Sequence, residues 1–86
     1  MDQLPALRQL FAASLGRRFS VAFSDGDCRD LQIVDDSHVL LNDTVWAFPL
    51  TAAGAVDGTE PGIQFDLRDI ARVLAYETCQ PLFEVR

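Results

Sequence analysis

The chain has 86 residues, which gives room for a single domain, 1–86. Its composition is 49% hydrophobic, with six Phe, one Trp and one Tyr, and this excludes a disordered chain. The net charge is −6 and all seven basic residues are Arg, so the basic excess typical of phosphate-binding proteins is missing. We therefore expect a small folded acidic domain, for which the net charge disfavours RNA as a partner.

The sequence also bears on location and redox state. Residues 1–5 lack the basic region and the apolar run of an export signal, and no stretch approaches the roughly 20 apolar residues of a membrane span. We expect a cytoplasmic protein without membrane contact. Cys28 and Cys79 have no C-x-x-C spacing, so in a reducing compartment we expect buried or half-buried thiols. Arg29 follows Cys28, but neither a His nor a helix N-terminus stands nearby to activate that thiol.

A helix is predicted at about residues 3–15. Apolar side chains recur there at spacings of three and four, on one face: Leu4, Leu7, Leu10, Phe11 and Leu15. Pro5 suits the first helical turn, because its missing N–H would have no partner there. Gly16 fits the position beyond the last turn, and Arg17 and Arg18 follow at the negative end of the helix dipole.

After Gly16 the apolar spacing changes to two, which predicts strands. Four are predicted in the first half of the chain, over residues 19–23, 31–33, 38–41 and 45–48. The Asp-Gly pair at 25–26 predicts a hairpin between the first two, because Gly tolerates the positive φ of a tight turn. Pro49 ends the fourth strand, since it cannot donate to a ladder.

The second half is less regular. Residues 51–62 are rich in Gly and small residues and predict a loop that is long for so small a domain. Alternation predicts a strand over 63–67. Residues 70–76 fit a helix as well as a strand, and propensity leaves both open. Pro81 breaks the chain, and residues 82–85 fit a short edge strand.

The order of these elements predicts a mainly β fold with an N-terminal α-helix. Residues 15–43 run from the helix end through a strand, an Asp-Gly turn and a strand ending at Asp35 to an apolar segment, and this pattern resembles the first half of the Sm-like family. Residues 65–73 resemble the layout of its second half. The resemblance implies a small five-stranded antiparallel SH3-like/Sm-like barrel over about residues 18–86, with a strand at 70–76 and with copies assembled into rings through edge strands.

The family's RNA site is not matched. It uses an Asn in the third strand and an Arg-Gly pair in a later turn. In this chain Leu40 stands after Ser37-His38-Val39 where the resemblance requires Asn, and Asp69 follows Arg68 in place of Gly. A carboxylate at that point repels an anion. The resemblance therefore carries over the fold and the assembly, but not the RNA site.

We identify no catalytic, metal or cofactor site. His38 follows Asp35 and Asp36, but no nucleophile is spaced to complete a triad, so a turn or strand histidine bonded to a neighbouring carboxylate or to water is favoured. The acidic residues at positions 25, 27, 30, 35 and 36 lack the ligand spacing and the terminal Glu of a calcium-binding loop. Turn formation explains them.

Trp46 and Phe48 are the candidate interface residues. If they share one side of a strand, Val45 and Ala47 take the other. Two interpretations stay open for Trp46: core packing, which is the commoner, or a subunit or ligand contact, because Trp is enriched in interface hot spots.

These observations favour a non-enzymatic binding and assembly module, a homo-oligomer that needs no cofactor and presents its acidic surface to a protein partner. The alternative is an Sm-like RNA-binding protein with an arginine-lined site. The candidate RNA contacts are then Arg17, Arg18, Arg68 and Arg72. A second alternative is a small acidic inhibitor or nucleic-acid mimic that blocks a basic protein.

Overall fold

The structure, a computed structural model, describes residues 4–59 and 61–84. It contains the helices α1 (Leu4–Phe11) and α2 (Val39–Asn42), a 3₁₀ turn (Leu67–Asp69) and the strands β1 (Arg18–Phe23), β2 (Cys28–Asp35), β3 (Thr44–Pro49), β4 (Ile63–Asp66), β5 (Ile70–Ala75) and β6 (Pro81–Glu84). The predicted fold class, mainly β with an N-terminal helix, is confirmed.

The six strands form one antiparallel sheet in the spatial order β4-β3-β2-β1-β5-β6. β1 to β4 pair in succession, β5 returns to pair with β1, and β6 pairs with β5. The sheet is open, with β4 and β6 at its edges, so the predicted closed barrel of five strands is wrong in both closure and strand number. Closure requires the two terminal strands to pair with each other. Here β6 occupies the free side of β5 instead.

The core lies between α1 and one face of the sheet, which we call the inner face; the opposite side is the outer face. The buried apolar side chains are Leu7, Phe11, Phe19, Val21, Leu31, Ile33, Val39, Val45, Ala47, Phe65, Leu67, Ile70 and Val73. The alternation predicted for β1 is confirmed, because Phe19 and Val21 are buried and Phe23 packs half-buried beside them. The sheet therefore places every second side chain of β1 in the core.

The hairpin predicted between β1 and β2 is confirmed. Gly26 adopts a φ of +95°, and the Phe23 N–H donates to the Asp27 carbonyl at 2.8 Å. The Asp25 carboxylate accepts the Asp27 N–H at 2.9 Å. The Asp25 carboxylate thus satisfies a backbone donor of the turn, which is the role expected of it.

The first helix is shorter than the predicted 3–15. It ends at Phe11, and the first predicted residue lies outside the described ones. The Ser14 hydroxyl donates to the Phe11 carbonyl at 2.6 Å, and the Gly16 N–H donates to the Ile33 carbonyl at 2.8 Å. These bonds turn the chain towards the sheet and replace the last helical turn.

Residues 39–42 form the helix α2 with His38 as its N-terminal cap, so the strand predicted over 38–41 is wrong. β2 and β3 pair directly with each other, which leaves no place for a strand between them. The Asp35 carboxylate ends β2 by accepting the N–H and the hydroxyl of Ser37 at 2.8 and 2.6 Å. At the other end Asp43, with φ 60°, donates its N–H to the Val39 carbonyl at 3.2 Å.

In the second half of the chain, the structure decides between the alternatives that the sequence left open and corrects the predicted strand ends. Residues 70–75 form a strand, because they pair with residues 19–23 of β1, with one register shift between Ala22 and Phe23. The strand predicted over 63–67 ends at Asp66, whose side chain accepts the Arg68 N–H at 2.8 Å and starts the 3₁₀ turn. The predicted edge strand is Pro81–Glu84, so Pro81 begins this strand; Val85 lies outside the described residues.

Candidate interaction surface

Trp46 and Phe48 lie on the outer face of β3. Val45 and Ala47 are buried on the inner face, so the predicted division of the two pairs between opposite sides of the strand is confirmed. Trp46 is 36% exposed, so it is not a core residue. Phe48 is half-buried because its ring lies against Gly62, where an added Cβ would come within 3.0 Å of the ring. The interface role of Trp46 and Phe48 stays a prediction.

The two most exposed large apolar side chains of the described residues stand on α2. Val39 is fully buried, whereas Leu40 and Leu41 are 72% and 79% exposed. Exposed apolar side chains that lie together mark interaction sites more often than singly scattered ones do. Sequence reasoning missed this pair because it placed both leucines in a strand. The signal that could have found them is the pair of turns at 35–37 and 42–43, which leave too short a segment for a paired strand.

A third leucine, Leu15, is also exposed. It follows α1 and is 65% exposed. The backbone N–H of Ser14 donates to Asp36 Oδ2 at 3.1 Å, which holds this turn against the turn that leads into α2. We call Leu40 and Leu41 the leucine surface.

An ion pair fixes α2 relative to α1. Arg8 Nε lies 2.7 Å from Asp43 Oδ1, and its Nη2 lies 3.2 Å from Oδ2. The hydrogen bond from Arg8 holds the pKa of the Asp43 carboxyl below its usual range, against the opposing effect of burial. The Asp43 carbonyl also accepts the Leu67 N–H at 2.8 Å. Helix α1, helix α2 and the 3₁₀ turn therefore meet at Asp43.

The arginines of the RNA alternative are spread over the molecule. Arg17 and Arg18 stand at the start of β1. Arg72 pairs with Ala22, four residues further along β1 than Arg18, which corresponds to about 13 Å at the usual rise per residue. A site that used all of them would have to span this distance.

Arg68 is already neutralised by a carboxylate. Its Nε and Nη2 donate to Asp66 at 3.0 and 2.7 Å. These bonds lower the pKa of Asp66 and raise the pKa of Arg68. An incoming phosphate would have to displace Asp66 to reach this guanidinium. The role of all four arginines in RNA binding stays untested.

A shallow groove of about 300 Å³ crosses the outer face over β5, β1 and β2. Its lining includes Ser20, Ala22, Cys28, Arg29, Asp30, Arg72 and Leu74. The Ser20 hydroxyl donates to the Asp30 carboxylate. This lining holds no histidine, so it lacks the base that most often activates a serine nucleophile.

Both cysteines are exposed and free, so the expectation of buried thiols is wrong. Cys28 is the first residue of β2, at the end of the sheet. Cys79 lies in the turn between β5 and β6, with a φ of 58°. Neither position is covered by the core, which lies on the inner face. His38 is half-buried at the N-terminal cap of α2 and makes no side-chain capping bond.

The acidic residues at the candidate metal positions have partners within the chain. The hydroxyl and the N–H of Ser37 lower the pKa of Asp35 by donating to its carboxylate. Asp27 Oδ2 lies 3.1 Å from Arg29 Nε. Among residues 4–59 and 61–84 no group of three or more His, Cys, Asp or Glu is arranged to hold a metal ion.

No protein-family model, curated protein or solved structure matches the chain. The resemblance to the Sm-like family therefore stays a prediction. In the part of the chain that the structure describes, no helix is long and apolar enough to cross a membrane.

Proposed function

We propose that this chain is a non-enzymatic binding and assembly module that associates with itself through protein–protein contacts. The observation that carries the proposal is the exposure of Leu40 and Leu41 on a helix that buries only Val39. Water disfavours apolar surface, and a second protein that covers these side chains removes that surface from water.

The free energy gained by burying Leu40 and Leu41 predicts a weak oligomer. Full burial of one leucine side chain contributes about 1.5–3 kcal/mol. Two leucines on each of two copies then contribute about 6–12 kcal/mol, which is of the same order as the free-energy cost of association. We therefore expect an oligomer that forms and dissociates with concentration.

Light scattering over about 5–200 µM, the range in which weak oligomers form, tests the proposal. We expect the mass to rise with concentration from that of a 9.5 kDa monomer. The double variant Leu40→Ser/Leu41→Ser should raise the dissociation constant at least about tenfold, which corresponds to a loss of roughly 1.4 kcal/mol. Val56→Ser, which changes an exposed apolar residue in the loop after β3, is the matched control and should leave it unchanged.

A mass that stays at 9.5 kDa over the whole range would overturn the proposal. The dependence of binding on salt concentration separates the proposed self-association from the RNA alternative. Association of two chains that each carry −6 strengthens as ions screen their repulsion. Binding to RNA phosphates weakens as salt rises.

A further inference from the structure

The two edge strands of the sheet differ in their protection against pairing. β6 begins with Pro81, ends with Glu84 and pairs with β5 through a shifted register. Proline and strand irregularities are the usual devices that prevent an edge from pairing with another chain. β4 (Ile63–Asp66) has no proline and no register shift against β3. Of the two edges, β4 is therefore the one that can accept another strand.

The backbone groups of β4 that remain for such a strand follow from the hydrogen-bond alternation. The Leu67 N–H donates to the Asp43 carbonyl, in line with the register that pairs Phe65 with Val45. In an antiparallel ladder, alternate residues face the same neighbour. Ile63 and Phe65 therefore face β3 as Leu67 does. The N–H and carbonyl groups of Gly62 and Gln64 and the N–H of Asp66 face away from the sheet. The Asp66 carbonyl belongs to the 3₁₀ turn, because Asp66 is the N-cap of that turn and its carbonyl accepts the first bond within it.

We propose that β4 pairs antiparallel with β4 of a second copy about a two-fold axis at Gln64, so that two six-stranded sheets become one. This inference rests on the proposed self-association and names its contact. Paired residues of a pleated sheet point to the same face, so only registers centred on a residue are allowed. Centred on Gln64, the pairing sets Phe65 opposite the partner's Ile63 and Asp66 opposite the partner's Gly62.

The register centred on Phe65 is less favourable. It would set Ile63 opposite the partner's Leu67, which is buried in the 3₁₀ turn and unavailable to a ladder. That register offers about two inter-chain hydrogen bonds, whereas the register centred on Gln64 offers about four, because the Asp66 carbonyl is engaged in the 3₁₀ turn. The Gln64 register also keeps Asp66 away from the like charge of its own symmetry mate.

The side chains on the outer face suit this junction. Trp46 pairs with Gln64 across β3 and β4, so the two-fold axis places a row of tryptophan, two glutamines and tryptophan across the join. The glutamine amides can donate and accept across the axis. β3 starts where α2 ends, and its first residue, Thr44, pairs with Asp66. Helix α2, which carries Leu40 and Leu41, therefore ends beside the strand that pairs with β4.

A disulfide across the axis tests the contact. Gln64→Cys is made in a Cys28→Ser/Cys79→Ser background, because both native thiols are exposed. Opposed residues of a hydrogen-bonded pair lie about 5.5 Å apart at Cα, which is within the range that a disulfide spans. We expect oxidation to convert Gln64→Cys to a reducible covalent dimer. The fraction of chains in that dimer should be at least about fivefold higher than for the control Thr78→Cys, which changes an exposed position in the turn before β6.

Gln64→Pro provides a second readout, because it removes an outward N–H but no bond to β3. We expect the mass to fall to the monomer value while the thermal midpoint stays within a few degrees. A concentration-dependent mass without the Gln64→Cys cross-link would overturn the edge contact and leave the proposed self-association standing. A monomeric mass without a cross-link would overturn both. A cross-link together with loss of association in Gln64→Pro supports the contact.

Discussion

The two helices carry similar apolar side chains and use them in opposite ways. α1 buries Leu7 and Phe11 in the core. α2 buries Val39 and leaves Leu40 and Leu41 in solvent. The difference follows from length, because a helix has 3.6 residues per turn. The eight residues of α1 place two side chains, four positions apart, on the same face, whereas the four residues of α2 make one turn and can direct only one side chain to the core.

Apolar content alone therefore does not distinguish core from contact surface. In α1 the apolar residues stabilise the monomer, whereas in α2 most of them are available to a partner. Substitutions in the two helices should separate these roles, with large effects on unfolding from α1 and large effects on association from α2.

The largest expected effect on stability comes from Phe11→Ala. Phe11 is fully buried, with its ring centroid 5.2 Å from that of Phe19 and 6.3 Å from that of Phe65. Removing such a ring lowers the free energy of unfolding by about 3–5 kcal/mol. Urea unfolding, followed by the fluorescence of Trp46, measures this loss in the free energy of unfolding. Leu15→Ala, at an exposed position just beyond α1, should stay within about 0.5 kcal/mol of the parent.

A loss below about 1 kcal/mol in Phe11→Ala would contradict the packing of α1 on the sheet. Phe11→Leu keeps most of the apolar volume and extends the test if the alanine variant does not fold.

A smaller effect is expected from Val39→Ala, which removes the one side chain that α2 places in the core. The lost methyl groups and the cavity together lower the free energy of unfolding by about 2 kcal/mol. The amide of Asp43, which donates to the Val39 carbonyl, should then exchange faster with solvent. Leu41→Ala in the same helix should leave stability unchanged and weaken association. Equal destabilisation by Val39→Ala and Leu41→Ala would remove the distinction between core and surface in α2.

Sequence patterns predicted those parts of the fold in which one face is buried and the other is not. The alternation in β1 predicted the burial of Phe19 and Val21, and the structure confirms it. In β3 it predicted that Val45 and Ala47 share one side, without deciding that this side is the buried one. It also set Trp46 and Phe48 together on the other side of β3. Such patterns succeed because burial imposes a period on the side chains.

The remaining features depend on interactions that a local pattern does not contain. Val39, Leu40 and Leu41 are consecutive and have no period, and they form a helix because β2 and β3 pair directly. Residues 70–75 form a strand because β1 supplies a partner. Whether the sheet closes depends on two strand edges far apart in sequence. The leucine surface was missed for the same reason as the helix that carries it.

The smallest expected effect concerns the ion pair that joins the two helices. Arg8→Ala should lower the thermal midpoint by about 2–5 °C, because a partly exposed pair contributes modestly. The side chains of Arg8 and Asp43, which form this pair, are 39% and 17% exposed and come from residues 35 positions apart. Arg29→Ala is the matched control, since its pair with Asp27 is more exposed, at 44% and 51%, and closes only a local turn. We expect a smaller shift there, measured by circular dichroism.

The pH dependence of the Arg8→Ala effect identifies its cause. Arg8 lowers the folded-state pKa of Asp43 below the ordinary value of 3.8, so this stabilisation is present above about pH 4 and is lost as the pH falls through 3.8 towards the folded-state value. Arg68 and Asp66 also face Asp43, but both remain in the variant and cancel in the difference. The midpoint difference between parent and Arg8→Ala should therefore stay constant from about pH 7 to 5 and shrink below about pH 4. A difference that persisted unchanged at about pH 3 would mean that the alkyl stem of Arg8, and not its charge, holds α1 to α2.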